Sequence, residues 1–327
     1  MSTTKGTIIV TGVSTGGLGS TIAQEIASKP EFSVYHGVYT VRDKTRAPAL
    51  TAGDTHPHEF VSLDLSSLDN VRQVANDINT RVSAGDLPPI RALILNAGFQ
   101  DFGQQMWTDD GFDKTFTSNY MGHWLLTLLL LKSMNKEEGR IIILGSQSHD
   151  PADPRHAATK AYVDPKYQPF VTDAASFEAI ARGTWSPARE DGSFRSGFRR
   201  YGAAKLFLIM MQHELQARLD ASDTSADSAA LSRICVVGVD PGAMITGMPR
   251  LAGWFIRVLI FQVIYPVVQY FNPDGGVRPT SKASAEVLEA AFGIPESRDA
   301  EKRRLVWRET ARFAGLEEGE SVLVDWR

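Results

Sequence analysis

A short apolar, β-branched run at residues 7–11 (TIIVT) is followed at once by Gly12, Gly16, Gly17 and Gly19, and then by Ile22, Ala23, Ile26 and Ala27 at three- and four-residue spacing. Strand, glycine turn and helix in that order let bare backbone approach a pyrophosphate at a helix N-terminus, where free N–H groups and the helix dipole favour an anion. A glycine-rich loop with no ligand is the plainer reading. The rest of the chain decides between them.

Further apolar or alternating runs at 34–41, 60–65 (FVSLDL), 91–96 (RALILN), 140–144 (RIIIL) and 234–240 predict five more strands. Helical patterns lie at 67–82, 111–134, from Tyr201 to about Leu219, and at 281–291, while 305–307 suits a last edge strand. This alternation predicts an α/β fold, a Rossmann-type doubly wound, mainly parallel sheet with helices on both faces. No repeat, low-complexity segment or linker divides the 327 residues, so a single domain, 1–327, is expected. A net charge of −4 gives no electrostatic case for nucleic acid. The single Cys, Cys235, lies in a Val-rich run and reads as a small buried apolar residue. The N-terminus enters the first strand without the long apolar region of a signal peptide, so a cytoplasmic protein is expected. His56 and His58 share a loop with no carboxylate or Cys pattern to complete a site, so no metal is expected.

Chemistry is concentrated after the strands. Tyr201 and Lys205 are four apart at the start of an apolar helical run, which puts phenol and ammonium on one helix face. A neighbouring ammonium stabilises a phenolate and lowers the phenol's pKa towards the working range. A surface Tyr and Lys at helical spacing are otherwise ordinary. Ser146 follows the fifth strand, at the end where open α/β sheets bind ligands. Asn96, Ala97 and Gly98 end the fourth strand in a turn that a cofactor can approach closely. Arg42, with Lys44 and Arg46 behind it, ends the second strand where an acidic residue would bond the ribose of NAD and Arg would pair with the extra phosphate of NADP. NADP(H) is therefore favoured over NAD(H), although Asp43 sits one position away. Asp64, beside Leu65, either caps the helix after the third strand or positions the adenine. Asn119, read alone, is a helix amide bonded to backbone or solvent.

Thr11-Gly12 with its following glycines, Asp64, Asn96-Ala97-Gly98, Asn119, Ser146, Tyr201 with Lys205, and Pro241-Gly242 before Thr246 occur in the order found in short-chain dehydrogenases/reductases, which the chain resembles over about residues 5–293. The runs Asn119-Tyr-Met-Gly-His123, Ser146-x-x-His149 and Tyr201-Gly-Ala-Ala-Lys205-Leu206 look like the branch of retinol dehydrogenases and protochlorophyllide reductases, which act on bulky lipophilic substrates with NADPH. The resemblance implies that Tyr201 is the proton donor in carbonyl reduction. Lys205 would lower its pKa and hold the nicotinamide ribose, Ser146 would bond the substrate oxygen, and Asn119 would anchor a water between Lys205 and solvent. It further implies a cofactor cradle of Gly12, Ser14, Gly17, Leu18 and Gly19, an adenosine site at Arg42, Asp64, Leu65, Asn96, Ala97 and Gly98, and carboxamide contacts from Pro241, Gly242 and Thr246. Family members are often dimers or tetramers, so a homodimer or homotetramer is expected. The substrate would be a lipophilic ketone or aldehyde of secondary metabolism, such as an aromatic polyketide or steroid-like ketone. Reduction of an activated C=C bond is the nearest alternative, and a non-catalytic NADP(H)-binding sensor or scaffold the alternative of another class.

The sequence departs from the family pattern in two places, and one further stretch is ambiguous. The glycine loop is one residue longer than usual, so Gly17 and Gly19 come one position late. Ser146 and Tyr201 are separated by an insertion, 149–200, dense in Pro and aromatic residues, which suits a structured loop over the active site or an elaboration packed away from it. Residues 250–271 are almost continuously apolar but interrupted by Arg257, Gln262, Pro266 and Gln269, so a substrate lid, peripheral membrane contact and an oligomer interface compete.

Overall fold

The structure is a computed structural model that describes residues 4–50, 56–221, 231–254, 256–272, 275 and 277–293. The strands are β1 (Gly6–Val10), β2 (Tyr35–Val41), β3 (His58–Ser62), β4 (Ile90–Leu95), β5 (Arg140–Leu144) and β6 (Cys235–Val239). They form one parallel sheet in the order β3-β2-β1-β4-β5-β6. Parallel strands with both faces covered read as unbroken apolar runs, and β1, β4 and β5 are buried at every position. The helices are α1 (Leu18–Ser28), α2 (Leu68–Ala84), α3 (Lys114–Phe116), α4 (Gly122–Leu130), α5 (Ala174–Ala181), α6 (Phe194–Ala221), α7 (Tyr265–Phe271) and α8 (Thr280–Phe292). Ile9, Leu93 and Ile141 pack on one side against α2, α4 and α6, and Ile8, Ile94 and Ile142 on the other against α1 and α8. The winding reverses between β1 and β4, so the strand ends on either side of that point splay apart and leave a crevice.

Several elements differ from the sequence expectation. The helix expected at 111–134 starts at α3, because the Asp113 carboxylate accepts from the backbone N–H groups of Thr115 at 2.9 Å and Phe116 at 3.2 Å. A π-helical turn, Thr117–Met121, joins α3 to α4. Helix α6 begins at Phe194, so Tyr201 sits two turns inside it. Ser67, not Asp64, caps α2 by accepting from Asn70 N–H. Cys235 is half-buried. The edge strand expected at 305–307 lies outside the described residues.

The insertion forms short 3₁₀ turns at Pro154–Thr159 and Pro165–Tyr167, then α5. Its Tyr162, Tyr167, Phe170 and Ile180 build a third apolar cluster with Phe116, Ala203 and Phe207. The Arg199 guanidinium lies 4.0 Å from the Tyr167 ring centre and pairs with Asp191 at 2.7 Å. Among the described residues no helix is long and apolar enough to cross a membrane.

Candidate active site

The carboxyl ends of β1, β4, β5 and β6 open into a cavity of about 490 Å³. Gly12, Ser14, Gly17 and Leu18 line one part of it, with Gly17 as the N-cap residue of α1. That cap has no side-chain hydrogen bond, so the first N–H groups of α1 are left for a ligand. Gly12 takes φ +73°, and a Cβ there would come within 2.7 Å of Ala97, which explains the glycine. Gly16 takes φ +82°, and its carbonyl accepts from Gly247 N–H at 3.1 Å. Gly19 does not line the cavity. It packs behind the loop, where a Cβ would meet Gly12 O at 2.5 Å and the Asn96 amide at 2.6 Å. These features suit a pyrophosphate at Gly12 to Leu18, with Gly19 packed behind the loop.

Arg42, Asp64, Leu65, Asn96, Ala97 and Gly98 line the adjoining part. Asp64 turns its carboxylate to Ser66, accepting from the N–H at 2.9 Å and the hydroxyl at 2.6 Å. Asn96 ties β4 to the glycine loop by donating to Thr11 O at 2.8 Å and Gly12 O at 3.2 Å. Asp43, the residue that blurred the cofactor choice, caps the turn 44–46 by accepting from Thr45 N–H at 2.9 Å and Thr45 Oγ1 at 2.7 Å. Arg42 and Arg46 both line the cavity, and Arg46 O accepts from Thr15 N–H at 2.9 Å, tying the glycine loop to this basic turn.

Ser146, Tyr201 and Lys205 meet on the cavity wall, with Pro241, Gly242 and Thr246 beside them. Ser146 follows β5 directly, and Tyr201 and Lys205 come from the buried face of α6. Lys205, only 3% exposed, donates to Leu144 O at 2.7 Å, and its Nζ lies 5.6 Å from the centre of the Tyr201 ring. Burial pulls the ammonium down to about 8, opposed by the charge of Asp240. Burial pushes the Tyr201 phenol up, and a hydrogen bond with Ser146 acts in the opposite direction. Burial is the dominant influence on this phenol, and the Lys205 ammonium stands beside its ring, where a cation steadies a phenolate.

Asn119 does not line the cavity. Its amide is taken up by backbone, donating to Phe99 O and Thr115 O at 2.7 Å each and accepting from Phe99 N–H at 2.9 Å. The side chain thus pins the turn after Gly98 to the π-helical segment, and its backbone carbonyl is occupied too. His123 Nδ1 donates to Asn119 O at 2.9 Å, which leaves Nε2 to accept from the Thr11 hydroxyl at 3.0 Å; that hydroxyl in turn accepts from Ala97 N–H at 3.0 Å. The role of His123 was missed from sequence, although its i,i+4 spacing from Asn119 places both on one helix face.

Fully buried, the His123 imidazole is pulled down to about 4. Its folded pKa lies below the unfolded value, so its neutral, bonded form contributes stability that is complete above the unfolded pKa and lost as pH falls towards 4. In urea titrations His123→Gln should therefore cost more at pH 7 than at pH 4, by about 3 kcal/mol. Equal costs at both pH values would place the group elsewhere.

A phosphate-accepting helix end facing a hydroxyl, a phenol and a buried ammonium across one crevice is the arrangement of a Rossmann-fold oxidoreductase. Comparison with known proteins narrows the class. The chain belongs to the short-chain dehydrogenase family. The family's profile, described as short chain dehydrogenase, matches residues 6–164. Short-chain dehydrogenase iccH of Talaromyces variabilis is 39% identical over 98% of this chain and 99% of its own length. Protochlorophyllide reductase of Daucus carota is 27% identical over 95% of this chain and 79% of its own. Among solved structures, angucycline C-6 ketoreductase LanV with bound NADP superposes with a TM-score of 0.57 at 18% identity, covering 91% of each chain, and so shares the fold.

Proposed function

We propose that the chain catalyses NADPH-dependent reduction of a ketone or aldehyde carried by a bulky, lipophilic substrate. The observation that carries this reading is the seating of Ser146, Tyr201 and Lys205 in the same cavity as the Gly12 to Leu18 loop. When bound there, the nicotinamide supplies hydride to the carbonyl carbon. Negative charge then builds on the carbonyl oxygen, and Ser146 and Tyr201 are the hydroxyl donors aimed at it. Tyr201 delivers its proton to that oxygen, and the Lys205 ammonium offsets the charge left on the phenolate. Phe99, Phe102, Phe198, Tyr265, Met244 and Met248 line the remaining wall, which suits an apolar ligand.

NADPH is preferred over NADH in this reading because Arg42 and Arg46 line the cavity and can pair with a 2′-phosphate, while Asp43, which also lines it, has its Oδ1 engaged by Thr45. LanV, a structural neighbour, is described with bound NADP. The double variant Arg42→Ala/Arg46→Ala should raise the Kd for NADPH by about ten- to a hundredfold and leave that for NADH nearly unchanged. Parallel losses for both nucleotides would assign the arginines a structural role.

A protein that only binds nucleotide has no use for an ammonium buried at the cost that pulls Lys205 down to about 8. Reduction of an activated C=C bond would use the same phenol to protonate carbon. Incubation with NADPH and a cyclic aromatic enone separates the two reactions: the allylic alcohol supports the carbonyl reading, and the saturated ketone overturns it. Neither oxidation of NADPH nor product would return the chain to the binding class.

The segment 250–271, whose role we place at the entrance to this cavity, contributes Tyr265 to the wall. Gln104 donates to Leu251 O at 2.7 Å and so anchors its start. Trp254, Val267, Tyr270 and Phe271 are exposed, and lid, lipid surface and second subunit remain the three candidate uses for that apolar face.

A further inference from the structure

The loop that follows the Asn96-Ala97-Gly98 turn contains an unusual backbone. Phe102 adopts φ +51°, a left-handed conformation that costs stability for any residue with a Cβ and is especially uncommon for an aromatic. Glycine or asparagine would occupy the position more cheaply, so the ring needs another reason to be there.

The surroundings force this conformation on the chain. Asp101 Oδ1 accepts from Gly103 N–H at 2.8 Å, closing a tight turn around Phe102. Asp101 is itself gripped by Arg200, with Nη2 to both carboxylate oxygens at 2.8 Å and Nε to Oδ2 at 3.1 Å. A Cβ on Gly197 would lie 2.9 Å from Phe102 N, so the backbone of α6 presses directly on this turn one residue before Phe198. Phe198 is fixed in turn by the rings of His156, at 5.3 Å between centres, and Tyr162, at 6.1 Å. Both Phe102 and Phe198 line the cavity that holds Ser146 and Tyr201. Arg200 therefore orders the supports of both rings, one turn through its carboxylate partner and the other through its own helix.

We propose that Phe102 and Phe198 are the specificity-determining residues of the substrate pocket, forming an aromatic wall that selects a flat, polycyclic aromatic ketone over a flexible aliphatic one. The inference rests on the carbonyl-reductase reading for the word ketone, but the wall itself is a binding surface. A rigid fused ring loses little conformational freedom on stacking, whereas an alkyl chain must be ordered and gains no ring–ring attraction.

The test measures binding of fluorenone and of decanone to the full-length protein saturated with NADP⁺, by calorimetry, in wild type, Phe102→Gly and Phe198→Leu. Glycine suits the backbone at 102, so relief of strain offsets part of the stability lost with the ring, and urea denaturation checks that the variant is folded. Both variants should lose about tenfold or more in fluorenone affinity, with decanone affinity shifting by less than about twofold and NADP⁺ affinity unchanged. Retained fluorenone binding in both variants, equal losses for the two ketones, or a wild type that does not favour fluorenone would overturn the proposal. NADPH oxidation is recorded separately. Ring-selective binding without turnover of any ketone would sink the reductase reading and leave the wall standing; turnover without ring preference would do the opposite.

Discussion

Tyr201→Phe is expected to lower kcat/KM for carbonyl reduction by roughly a hundred- to ten-thousandfold, the range associated with losing a general acid, with NADPH affinity nearly unchanged. The ring is kept and only the ionisable oxygen is removed, so packing within α6 is preserved. Burial raises the phenol, which keeps Tyr201 protonated through the neutral range and ready to donate. In the proposed reaction Lys205 is expected to set the alkaline limit. Burial has brought its ammonium to about 8, so as pH rises through that value the positive charge that steadies a phenolate is lost and the reduction rate should fall. Lys205→Met should lower the plateau and erase that limb. A rate for Tyr201→Phe equal to that of wild type would remove the phenol from the mechanism altogether.

The largest stability effect is expected at Arg200. Asp101 and Asp113 are each 1% exposed and Arg200 2%, and this one guanidinium faces both carboxylates, Asp101 at 2.8 Å and Asp113 at 3.5 Å. Gln105 donates to Asp113 at 2.9 Å, and Arg200 donates to Ser186 O. Arg200→Met keeps much of the volume and deletes the charge. Two buried carboxylates are then left without their cation, at a cost of about 3–5 kcal/mol measurable by urea denaturation. Burial already pushes Asp113 up, and losing Arg200 pushes it further. A raised carboxyl penalises the folded state where it must ionise, so the deficit of the variant should be greatest at pH 7 and shrink on acidification. A deficit that does not depend on pH would mean lost packing alone. The reading predicts a second symptom, a weaker preference for flat ligands, because Asp101 would no longer hold the turn at Phe102.

The parallel sheet was legible because buried strands leave a strong trace: RALILN and RIIIL have no polar face to confuse the pattern. The cavity was legible for the same reason, since its lining residues follow directly on those strands. Ser146, Tyr201 and Lys205 were found although the insertion separates them in sequence, since each stands at an element end or on a helical period. The roles proposed for them rest on that spacing and on the family resemblance together. What escaped was anything decided by partners distant in the chain. Residues 194–200 (FRSGFRR) read as part of the insertion, yet they are the first two turns of α6, with Arg199 and Arg200 buried against Asp191 and Asp101. The Asp43 side chain could face a ribose or its own turn, and only the local geometry chose Thr45. Asn119 was legible as a helix amide bonded to backbone or solvent, but its partners, Phe99 and Thr115, were not. A helix period cannot encode such pairings.

The glycine loop is also fastened to a distant part of the chain. The Gly16 carbonyl accepts from Gly247 N–H, just before the apolar segment, while its neighbour Gly17 caps the start of α1. One backbone hydrogen bond thus ties the turn at the start of α1 to the residues that lead into 250–271. A replacement segment with proline at position 247 would have no N–H to give Gly16, and the two stretches would come apart at that point.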